Sequence, residues 1–435
     1  SREFGIRDLI RFNTEISAIA YDDATSKWTV TWTEGDGSVR SEEFDAVVSA
    51  VGQLNRAKYP DIEGRETFGG LAVHTSQWEE GIDLKGKRIG VIGSGASAYQ
   101  VVPAVVSEAS KLYVIQRSAP WMTIAPDYHA EIDEGQRWLF RHVPHYHRWY
   151  RVFTYWHASE SRRPYGMVDP NWKSDQSVSQ LNEQLRLQLI DYISAQYEDR
   201  PDLLEKVIPN YPPNAKRPPR DNGVWSAALK SPNAELVTEG VTQITPTGFI
   251  TADGVEREVD VIIYATGFHA SDFLRPMMVS GRNGIDLHEY WDGDATAYLG
   301  VTVPNFPKLF LLYGPNTNLL LTGSMILMAE MASDYVISYM QTIERLGATG
   351  LDLKEEALEE HVAWVDAGNR GMAWGVEGVD SWYKNKTGRV SQNWPYPMGT
   401  YWQLSREVRL EDYEVLGVGD NVSDVSEELD ATFAS

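Results

Sequence analysis

A glycine-rich loop between an apolar strand and the start of a helix constrains this chain more than any other stretch. Residues 88–100 read RIGVIGSGASAYQ, in which Gly93, Gly95 and Ala98 match the spacing G-x-G-x-x-A. The first glycine permits a tight turn, the second lets the backbone approach a pyrophosphate, and the small third residue lets the helix pack closely on the strand. We predict a strand over 88–92, then a helix over 98–106 whose N-terminal amides face the phosphates. The residues predicted to bind the dinucleotide here are Gly93, Ser94, Gly95, Ser97, Ala98 and Gln100.

The second predicted strand, KLYVIQRS at 111–118, indicates which dinucleotide is bound. About 20 residues past the glycines an NAD enzyme presents Asp or Glu to the ribose hydroxyl. This chain presents Arg117 and Ser118 instead. Because the planar guanidinium of arginine binds phosphate through two hydrogen bonds, the pattern predicts NADPH, with Arg117 and Ser118 at its 2′-phosphate. The alternative is that Arg117 is only a solvated charge at the end of a strand.

Composition excludes several other classes of protein. The 435 residues suffice for two or three domains, and the absence of cysteine excludes disulfides, thiolate metal ligands and a cysteine nucleophile. Redox chemistry must therefore come from a cofactor. A net charge of -23 disfavours nucleic acid and anionic membranes as partners. No apolar run approaches the roughly 20 residues that span a bilayer, and no signal-peptide pattern opens the sequence, so we predict a cytoplasmic protein without a membrane partner.

The rest of the chain divides into a β-rich start and a helical insertion. Strand-like residues at 28–32 and 45–51 flank the turn-rich TEGDGS, which predicts an antiparallel excursion returning to a buried strand, with an independent small β domain as the alternative. Residues 122–212 space their apolar side chains by three and four, as amphipathic helices do. Four histidines between 142 and 157 lack Asp and Glu partners at ligand spacing, so we predict no metal site. The acidic end, 414–435, is predicted to be loose and solvated.

The residues just before the glycine loop make the prediction more specific. Phe68 to Trp78 read FGGLAVHTSQW, which fits F-x-G-x-x-x-H-x-x-x-W through Phe68, Gly70, His74 and Trp78. This pattern resembles the fingerprint of type I Baeyer–Villiger monooxygenases and their N-hydroxylating relatives. The family pattern usually continues with Pro or Asp, whereas Glu79 follows here. The resemblance implies that this segment links an FAD domain to an NADPH domain, with His74 and Trp78 positioning the linker.

Later segments extend the resemblance along most of the chain. DVIIYATGF at 260–268 resembles the family's buried strand and its return to the FAD domain, and NFPKLFLLYGPN at 305–316 resembles the strand and loop that approach the flavin. SWYKNKTGR at 381–389 and NWPYPMGTYW at 393–402 are most similar to the branch that includes 4-hydroxyacetophenone monooxygenase. The resemblance places four residues near the flavin: Thr266, Gly267, Gly314 and Asn316.

A basic pair in PNAKRPPRDNG is implied to carry the mechanism. Lys216 and Arg217 fall where the family has a lysine for the NADPH phosphate and an arginine essential to oxygenation. A flavin peroxide must stay deprotonated to attack a ketone, and a guanidinium stabilises that anion without donating its proton. The alternative is an ordinary exposed basic loop.

Taken together, the resemblance implies an α/β protein with two Rossmann-like dinucleotide-binding domains. The FAD domain comprises residues 1–79 and 267–435, and the NADP domain comprises residues 80–266 with the helical insertion. The family's first dinucleotide loop is not found in this sequence, so we expect a fragment whose FAD domain is incomplete at its N-terminus, by on the order of 100 residues or more, with a natural loss of that segment as the alternative.

The predicted reaction uses FAD, NADPH and O2 to insert one oxygen atom into a ketone, giving an ester. An aryl ketone is the substrate that the 4-hydroxyacetophenone branch implies. One alternative is a flavin N- or S-hydroxylating monooxygenase, and another, of a different class, is a non-catalytic NADP-binding fragment. The sequence does not determine the oligomeric state.

Overall fold

The computed structural model describes residues 3–158, 160–321 and 323–417. Its strands are β1 (Thr14–Asp22), β2 (Lys27–Glu34), β3 (Val39–Phe44), β4 (Val47–Ser49), β5 (Leu71–His74), β6 (Arg88–Ile92), β7 (Lys111–Ile115), β8 (Thr123–Ile124), β9 (Arg220–Asp221), β10 (Ala234–Val237), β11 (Val241–Thr245), β12 (Gly248–Thr251), β13 (Glu256–Glu258), β14 (Val261–Tyr264), β15 (Met278–Ser280), β16 (Leu309–Leu311), β17 (Gly350–Leu353) and β18 (Tyr413–Leu416). Its α-helices are α1 (Ala96–Val105), α2 (Glu134–His142), α3 (Tyr146–Ala158), α4 (Gln180–Gln196), α5 (Pro201–Val207), α6 (Val224–Leu229), α7 (Leu287–Trp291), α8 (Met325–Leu346), α9 (Glu355–Arg370) and α10 (Met398–Ser405).

A five-stranded parallel sheet holds the glycine-rich loop. The strands lie in the order β10-β7-β6-β14-β5, and every neighbouring pair is parallel. Their carboxyl ends therefore share one edge, which is where ligands bind in open α/β sheets. Helix α1 begins at Ala96 rather than at residue 98 and keeps Pro103 in its interior. The predicted α/β fold with Rossmann-like architecture is confirmed.

The two faces of this sheet are covered differently. Alternate residues of β6 point to opposite faces, so Ile89 and Val91 pack with α1, α4 and α6. Gly90 faces the antiparallel sheet β11-β12-β13, where a Cβ atom would lie 2.8 Å from the Phe249 ring. Strand β5 completes the sheet although it precedes residue 79, so the parallel sheet begins at Leu71.

A second unit is built from both ends of the chain. The excursion β1-β2-β3 is antiparallel as predicted, and β1 also pairs in parallel with β15, while the Trp28 indole donates to the Pro307 carbonyl at 2.9 Å. The alternative of an independent small β domain is therefore wrong. Strand β4 pairs in parallel with β16, but its predicted burial is only partial because Val48 is exposed.

Long helices complete the second unit. Helices α8, α9 and α10 share one core with residues 298–301 and the β17-β18 pair. Strand β18 includes residues 414–416, which we predicted to be loose, and it is held because it pairs with β17. The rest of the predicted acidic end, residues 418–435, lies outside the described residues.

The insertion at 122–212 is helical, with α2 to α5 lying between β8 and β9. Strands β8 and β9 pair in parallel, so the insertion leaves and returns at one place. Within the described part of the chain, no helix is both long and apolar enough to cross a membrane.

Candidate functional site

The two glycines of the loop after β6 have different roles. One is required because the backbone packs closely there, and the other leaves open space beside the backbone. Gly93 has φ +122°, and a Cβ atom there would lie 2.4 Å from the Ala265 carbonyl oxygen. Gly95 precedes α1 in an extended conformation with φ -78°, and a Cβ atom there would meet nothing within 4 Å. The first glycine therefore lets β6 and β14 approach each other, and the second leaves open space at the N-terminus of α1, where a pyrophosphate could approach.

Three other predicted residues of this loop have distinct surroundings. Ala98 is fully buried in the helix–sheet core, as a small residue at this position should be. Ser94 donates from its hydroxyl to the Ser118 carbonyl oxygen at 2.9 Å, which ties the loop to the end of β7. Gln100 is exposed and donates to the Ala96 carbonyl oxygen within its own helix at 3.0 Å.

The three residues predicted at the 2′-phosphate converge beside this loop. Lys216 donates to the Ser118 hydroxyl at 3.2 Å, and its ammonium group lies 4.6 Å from the centre of the Tyr211 ring. Burial, with the nearby charge of Arg117, lowers the pKa of Lys216. Arg117 itself is exposed, and Asp380 lies 3.5 Å from its guanidinium. Two mutually repelling cations and a hydroxyl at the carboxyl edge of a parallel sheet form a suitable binding site for a phosphate.

Arg217, an exposed residue of the basic loop, lies near two tyrosines of the second unit. Burial raises the pKa of Tyr313 and of Tyr383. The positive charge of Arg217 acts on both phenols in the opposite direction, so its guanidinium lies close to both rings. Tyr313 follows β16, and Tyr383 belongs to the 381–389 segment. The structure therefore brings Arg217 to the loop that the sequence predicted to approach a flavin.

His74 links the two places where the chain passes from one unit to the other. Its Nε2 donates to the Gly267 carbonyl oxygen at 3.0 Å, and the Lys58 backbone N–H donates to the same oxygen at 2.9 Å. Since Nε2 holds the proton, Nδ1 accepts from the Ser76 hydroxyl at 2.8 Å. Thr266 also donates to the Lys58 carbonyl at 2.6 Å. His74 is fully buried, and burial lowers its pKa.

The other fingerprint residues have different surroundings. Gly70 is required by crowding, since a Cβ atom there would lie 2.5 Å from the Asp260 carbonyl oxygen and 2.7 Å from the Phe68 ring. Phe68 packs against the core that contains Phe249. Trp78 is 41% exposed, in contrast to the buried His74.

The loop after β16 is held in an unusual conformation. Tyr313 and Asn316 both have positive φ angles, +61° and +57°, a conformation that persists in non-glycine residues only when the surroundings enforce it. Gln53 donates to the Tyr313 carbonyl oxygen at 3.2 Å, and the Tyr313 hydroxyl donates to Asn318 at 2.9 Å. A Cβ atom on Gly314 would lie 2.2 Å from the Gly300 carbonyl oxygen. The loop is therefore held in this conformation by contacts within the protein.

Asn316, predicted to lie near the flavin, uses its side chain to fasten this loop. Its amide nitrogen donates to the Val390 carbonyl at 2.7 Å, and its oxygen accepts from Arg389 at 3.0 Å. The Arg389 guanidinium also contacts Asp294 and Asp366 at 3.0 Å each. Sequence reasoning missed Arg389 as a functional residue, although it ends the SWYKNKTGR segment singled out above. Its partners lie far away in the chain, and no local pattern reveals them.

Several buried polar atoms around this loop lack hydrogen-bond partners among the described residues. They are Ser49 Oγ at the end of β4, Gln53 Oε1 just beyond it, and Gln392 Oε1 and Asn393 Nδ2 in the segment bonded to residues 316–318. Buried polar groups are nearly always paired in folded proteins. These atoms, at the carboxyl ends of the parallel pair β4-β16, fit a polar ring system such as a flavin.

Comparisons with known proteins agree with this geometry. A flavin-binding monooxygenase-like family model matches residues 1–128. The chain is 35% identical to the uncharacterized monooxygenase y4iD of Sinorhizobium fredii, over 96% of this chain and 63% of that protein. It is 32% identical to a Baeyer-Villiger monooxygenase of Pseudomonas aeruginosa, over 95% of this chain and 75% of the relative. The chain belongs to the flavin-binding monooxygenase family.

A solved structure agrees with this family assignment. Cyclohexanone monooxygenase from Rhodococcus sp. Phi1, crystallised with NADP+, superposes with a TM-score of 0.78 at 26% identity, over 96% of this chain and 82% of that one. The present family member thus has the fold of Baeyer–Villiger monooxygenases across its described units. It spans 63% of the length of the Sinorhizobium relative.

Proposed function

We propose that this member of the flavin-binding monooxygenase family is an FAD- and NADPH-dependent monooxygenase. It would insert one oxygen atom of O2 into a ketone and give an ester or lactone. The observation that carries the proposal is the position of the basic loop. Lys216 contacts the end of β7 beside the dinucleotide loop, and the adjacent Arg217 approaches the loop after β16. One loop thereby connects the two predicted cofactor sites.

The nucleotide part of the proposal rests on charge and space. Gly95 leaves room for a pyrophosphate at the start of α1, and Arg117, Ser118 and Lys216 supply two charges and a hydroxyl for a 2′-phosphate. In place of these residues, an NAD site would present a carboxylate to the ribose. The solved relative named above is crystallised with NADP+, which supports the same choice.

The flavin part rests on the carboxyl ends of β4 and β16. The unpartnered Ser49 and Gln53 oxygens and the rigid loop 313–316 would hold the ring system. When bound and reduced, FAD would supply the activation of O2. Gly267 and Thr266 would hold the chain crossing beside the flavin: the Gly267 carbonyl oxygen accepts from His74, and the Thr266 hydroxyl donates to the Lys58 carbonyl oxygen.

Arg217 would stabilise the negative charge that oxygen activation generates. A guanidinium keeps its proton throughout the pH range of a folded protein, so it stabilises an anion without protonating it. Arg217 itself is exposed, and beside it lie the half-buried Tyr313 and the fully buried Tyr383. A cofactor bound there would shield the guanidinium from water and so strengthen this electrostatic stabilisation. His74 would position the linker during domain motion, together with the exposed Trp78.

The substrate class is proposed from two segments of the sequence. Residues 381–389 and 393–402 are most similar to the 4-hydroxyacetophenone monooxygenase branch, so an aryl ketone is the proposed substrate. Tyr383 places the first of these segments beside Arg217, which supports a role for it near the reacting groups. The proposed FAD domain comprises residues 1–79 and 267–435 apart from β5, and the proposed NADP domain comprises residues 80–266 together with β5, which pairs with β14.

Product identification tests the proposal. The purified chain, supplied with FAD, NADPH and ¹⁸O2, would be given an aryl ketone, a matched amine and a matched sulfide, and products would be identified by mass spectrometry. We expect an ester carrying one ¹⁸O atom. Oxidation of only the amine or the sulfide would favour the N- or S-hydroxylating alternative. Failure to retain FAD after desalting, with no turnover of any substrate, would favour a non-catalytic NADP-binding protein.

A further inference from the structure

Asp221 is a buried carboxylate surrounded by hydrogen-bond donors. It is 2% exposed. Its Oδ1 accepts from the Tyr99 hydroxyl and from the Gly223 backbone N–H, both at 3.1 Å. Its Oδ2 accepts from the Tyr192 hydroxyl at 3.0 Å and from the Gln196 amide at 3.2 Å. Four hydrogen-bond donors therefore satisfy the two oxygen atoms of this carboxylate.

The partners are neutral, which is unusual for a carboxylate at this depth. No Arg, Lys or His contacts Asp221 as an ion pair among the described residues. Charged side chains are seldom buried unless they are paired or fully hydrogen-bonded. Asp221 satisfies the second condition, and burial combined with its charge raises the pKa of Tyr99 and raises that of Tyr192 to about 12. Both phenols thus remain donors at neutral pH.

The hydrogen bonds of Asp221 join three separate parts of the nucleotide unit. Tyr99 lies in the first turns of α1, directly after the glycine loop, and stacks on Trp225 of α6. Tyr192 and Gln196 lie on α4 of the helical insertion. The carboxylate belongs to β9, immediately after the basic loop. One side chain thus joins the helix of the dinucleotide loop, the insertion and the basic loop.

We propose that Asp221 is a positioning residue that fixes Lys216 at the 2′-phosphate site. The inference rests on the NADPH function proposed above. Between Lys216 and Asp221 lie Pro218 and Pro219, whose rings fix the backbone and transmit a displacement of β9 along the loop. Strand β8 pairs with β9 through the backbone. The side chain of Asp221 adds the connection to α1 and the closer of the two Tyr192 bonds to α4, where the Tyr192 hydroxyl also lies 3.3 Å from the Asp221 carbonyl oxygen.

An amide cannot replace this carboxylate without loss. Asparagine offers one acceptor oxygen, and its NH2 group would face either the Gly223 N–H or the Gln196 amide, which also donates. A buried donor left unsatisfied destabilises the arrangement, so β9 would shift away from at least one partner. The Lys216 ammonium would then move away from Ser118, while the glycine loop remains held by the central strands of the sheet.

The test measures binding and needs no turnover. Isothermal titration calorimetry would compare 2′,5′-ADP with 5′-AMP for the wild-type chain, D221N, Y99F and the control D352N. Asp352 is also a buried carboxylate, bonded to Arg282 in the other unit. We expect D221N to weaken 2′,5′-ADP binding about tenfold and leave 5′-AMP binding unchanged, as for a lost charge-assisted hydrogen bond. Y99F should show a smaller loss in the same direction.

The outcomes separate the two proposals. Equal weakening of both ligands by D221N, or the same loss of selectivity in D352N, would mean a general structural role and would overturn the inference. Unchanged selectivity in D221N and Y99F would overturn it as well. If D221N fails to fold, Y99F alone decides, since it removes one hydroxyl and keeps the ring. A wild-type chain that does not prefer 2′,5′-ADP would instead overturn the NADPH assignment, and the inference with it.

Discussion

The Lys216 ammonium group lies 3.2 Å from the Ser118 hydroxyl, although 98 residues separate them in the sequence. Ser118 in turn accepts from Ser94 of the glycine loop through its carbonyl oxygen. The contacts place a lysine of the basic loop beside the end of β7 and beside the dinucleotide loop. A basic group at the end of the second strand is the arrangement expected of the proposed 2′-phosphate site.

Lys216→Met should therefore weaken NADP+ binding much more than NAD+ binding. We expect a loss of about tenfold to one hundredfold for NADP+, since a hydrogen bond to a charged group contributes roughly 1.5–3 kcal/mol. Equilibrium dialysis or calorimetry with both nucleotides measures the ratio. Lys111→Met is the matched control, because Lys111 starts the same β7 and pairs with Glu235 at 2.9 Å. An equal loss in the control would contradict the assignment.

The two loop glycines should respond differently to alanine. At Gly93 a Cβ atom would lie 2.4 Å from the Ala265 carbonyl at φ +122°, so Gly93→Ala should lower the free energy of unfolding. The strained backbone and the clash together should contribute about 2 kcal/mol or more. Gly95→Ala should change stability by less than about 1 kcal/mol, because its Cβ meets open space, yet weaken NADP+ binding at least about tenfold.

Urea unfolding and nucleotide titration on the two glycine variants check these expectations. A Gly95→Ala chain that binds NADP+ with wild-type affinity would contradict the proposed approach of the pyrophosphate. A Gly93→Ala chain of wild-type stability would contradict the tight contact between the loop and β14.

His74→Ala should destabilise the protein through the crossing between the units. It removes the donor to Gly267 and leaves a cavity, and we expect about 3 kcal/mol lower free energy of unfolding. Trp78→Ala is the comparison within the same fingerprint, because Trp78 is 41% exposed and should change stability by about 1 kcal/mol or less. Chemical denaturation of both variants measures their free energies of unfolding. Similar losses of stability in the two variants would contradict the difference expected between the buried His74 and the exposed Trp78.

His361 should make the protein less stable in mild acid. Its Nε2 accepts from the Leu299 backbone N–H at 3.1 Å, and burial, with the charge of Arg389, lowers its pKa from 6.5 to about 4. Between these values the unfolded chain binds a proton that the folded chain does not, so stability falls as the pH drops from 6.5 to 4. The loss from this residue approaches about 3 kcal/mol and stops below pH 4.

Urea unfolding at several pH values tests this titration. His361→Gln keeps an acceptor for the Leu299 N–H but does not titrate. Its stability should therefore fall less than that of the wild type between pH 6.5 and pH 4, with any remaining slope due to other groups such as His74. An identical fall in both proteins would exclude His361 as the source.

Arg217→Met should reduce formation of the oxygenated product about one hundredfold or more, as removal of an electrostatic stabiliser does in other active sites. NADP+ binding should stay near the wild-type value, since the phosphate contact comes from Lys216. Product yield and nucleotide affinity are measured on the same preparation. Arg220→Met is the control, because Arg220 is likewise an exposed arginine and lies at the start of β9, three residues after Arg217.

Local patterns predicted the elements that are contiguous in the sequence. The strand, loop and helix at 88–105 form one supersecondary unit, so the glycine spacing and apolar run suffice to define it. The fingerprint predicts a linker at residues 71–74, where the structure has strand β5. Their strand character depends on pairing with β14, whose sequence lies nearly two hundred residues later. Such pairing leaves no local signal in a four-residue run.

The buried polar residues were the least predictable part of the site. Asp221, Arg389 and His361 each contact partners from distant elements, and their own neighbours in sequence give no periodic pattern. Lys216 and Arg217 were located only through resemblance to a family. The structure adds that Lys216 bonds to Ser118 at the end of β7 while Arg217 lies near Tyr313 after β16, which spacing alone could not indicate.

The crossing at His74 also has an evolutionary consequence. Ala57 and Phe268 form a bridge, so the chain enters and leaves the nucleotide unit at neighbouring points. A unit whose ends meet can be inserted into, or exchanged between, host proteins with little strain on either. Chimaeras that swap residues 58–267 between relatives would need to preserve this junction, with His74 and Gly267 exchanged together, and also the contacts between the units, such as Arg117 with Asp380 and the Met167–Met372 bridge.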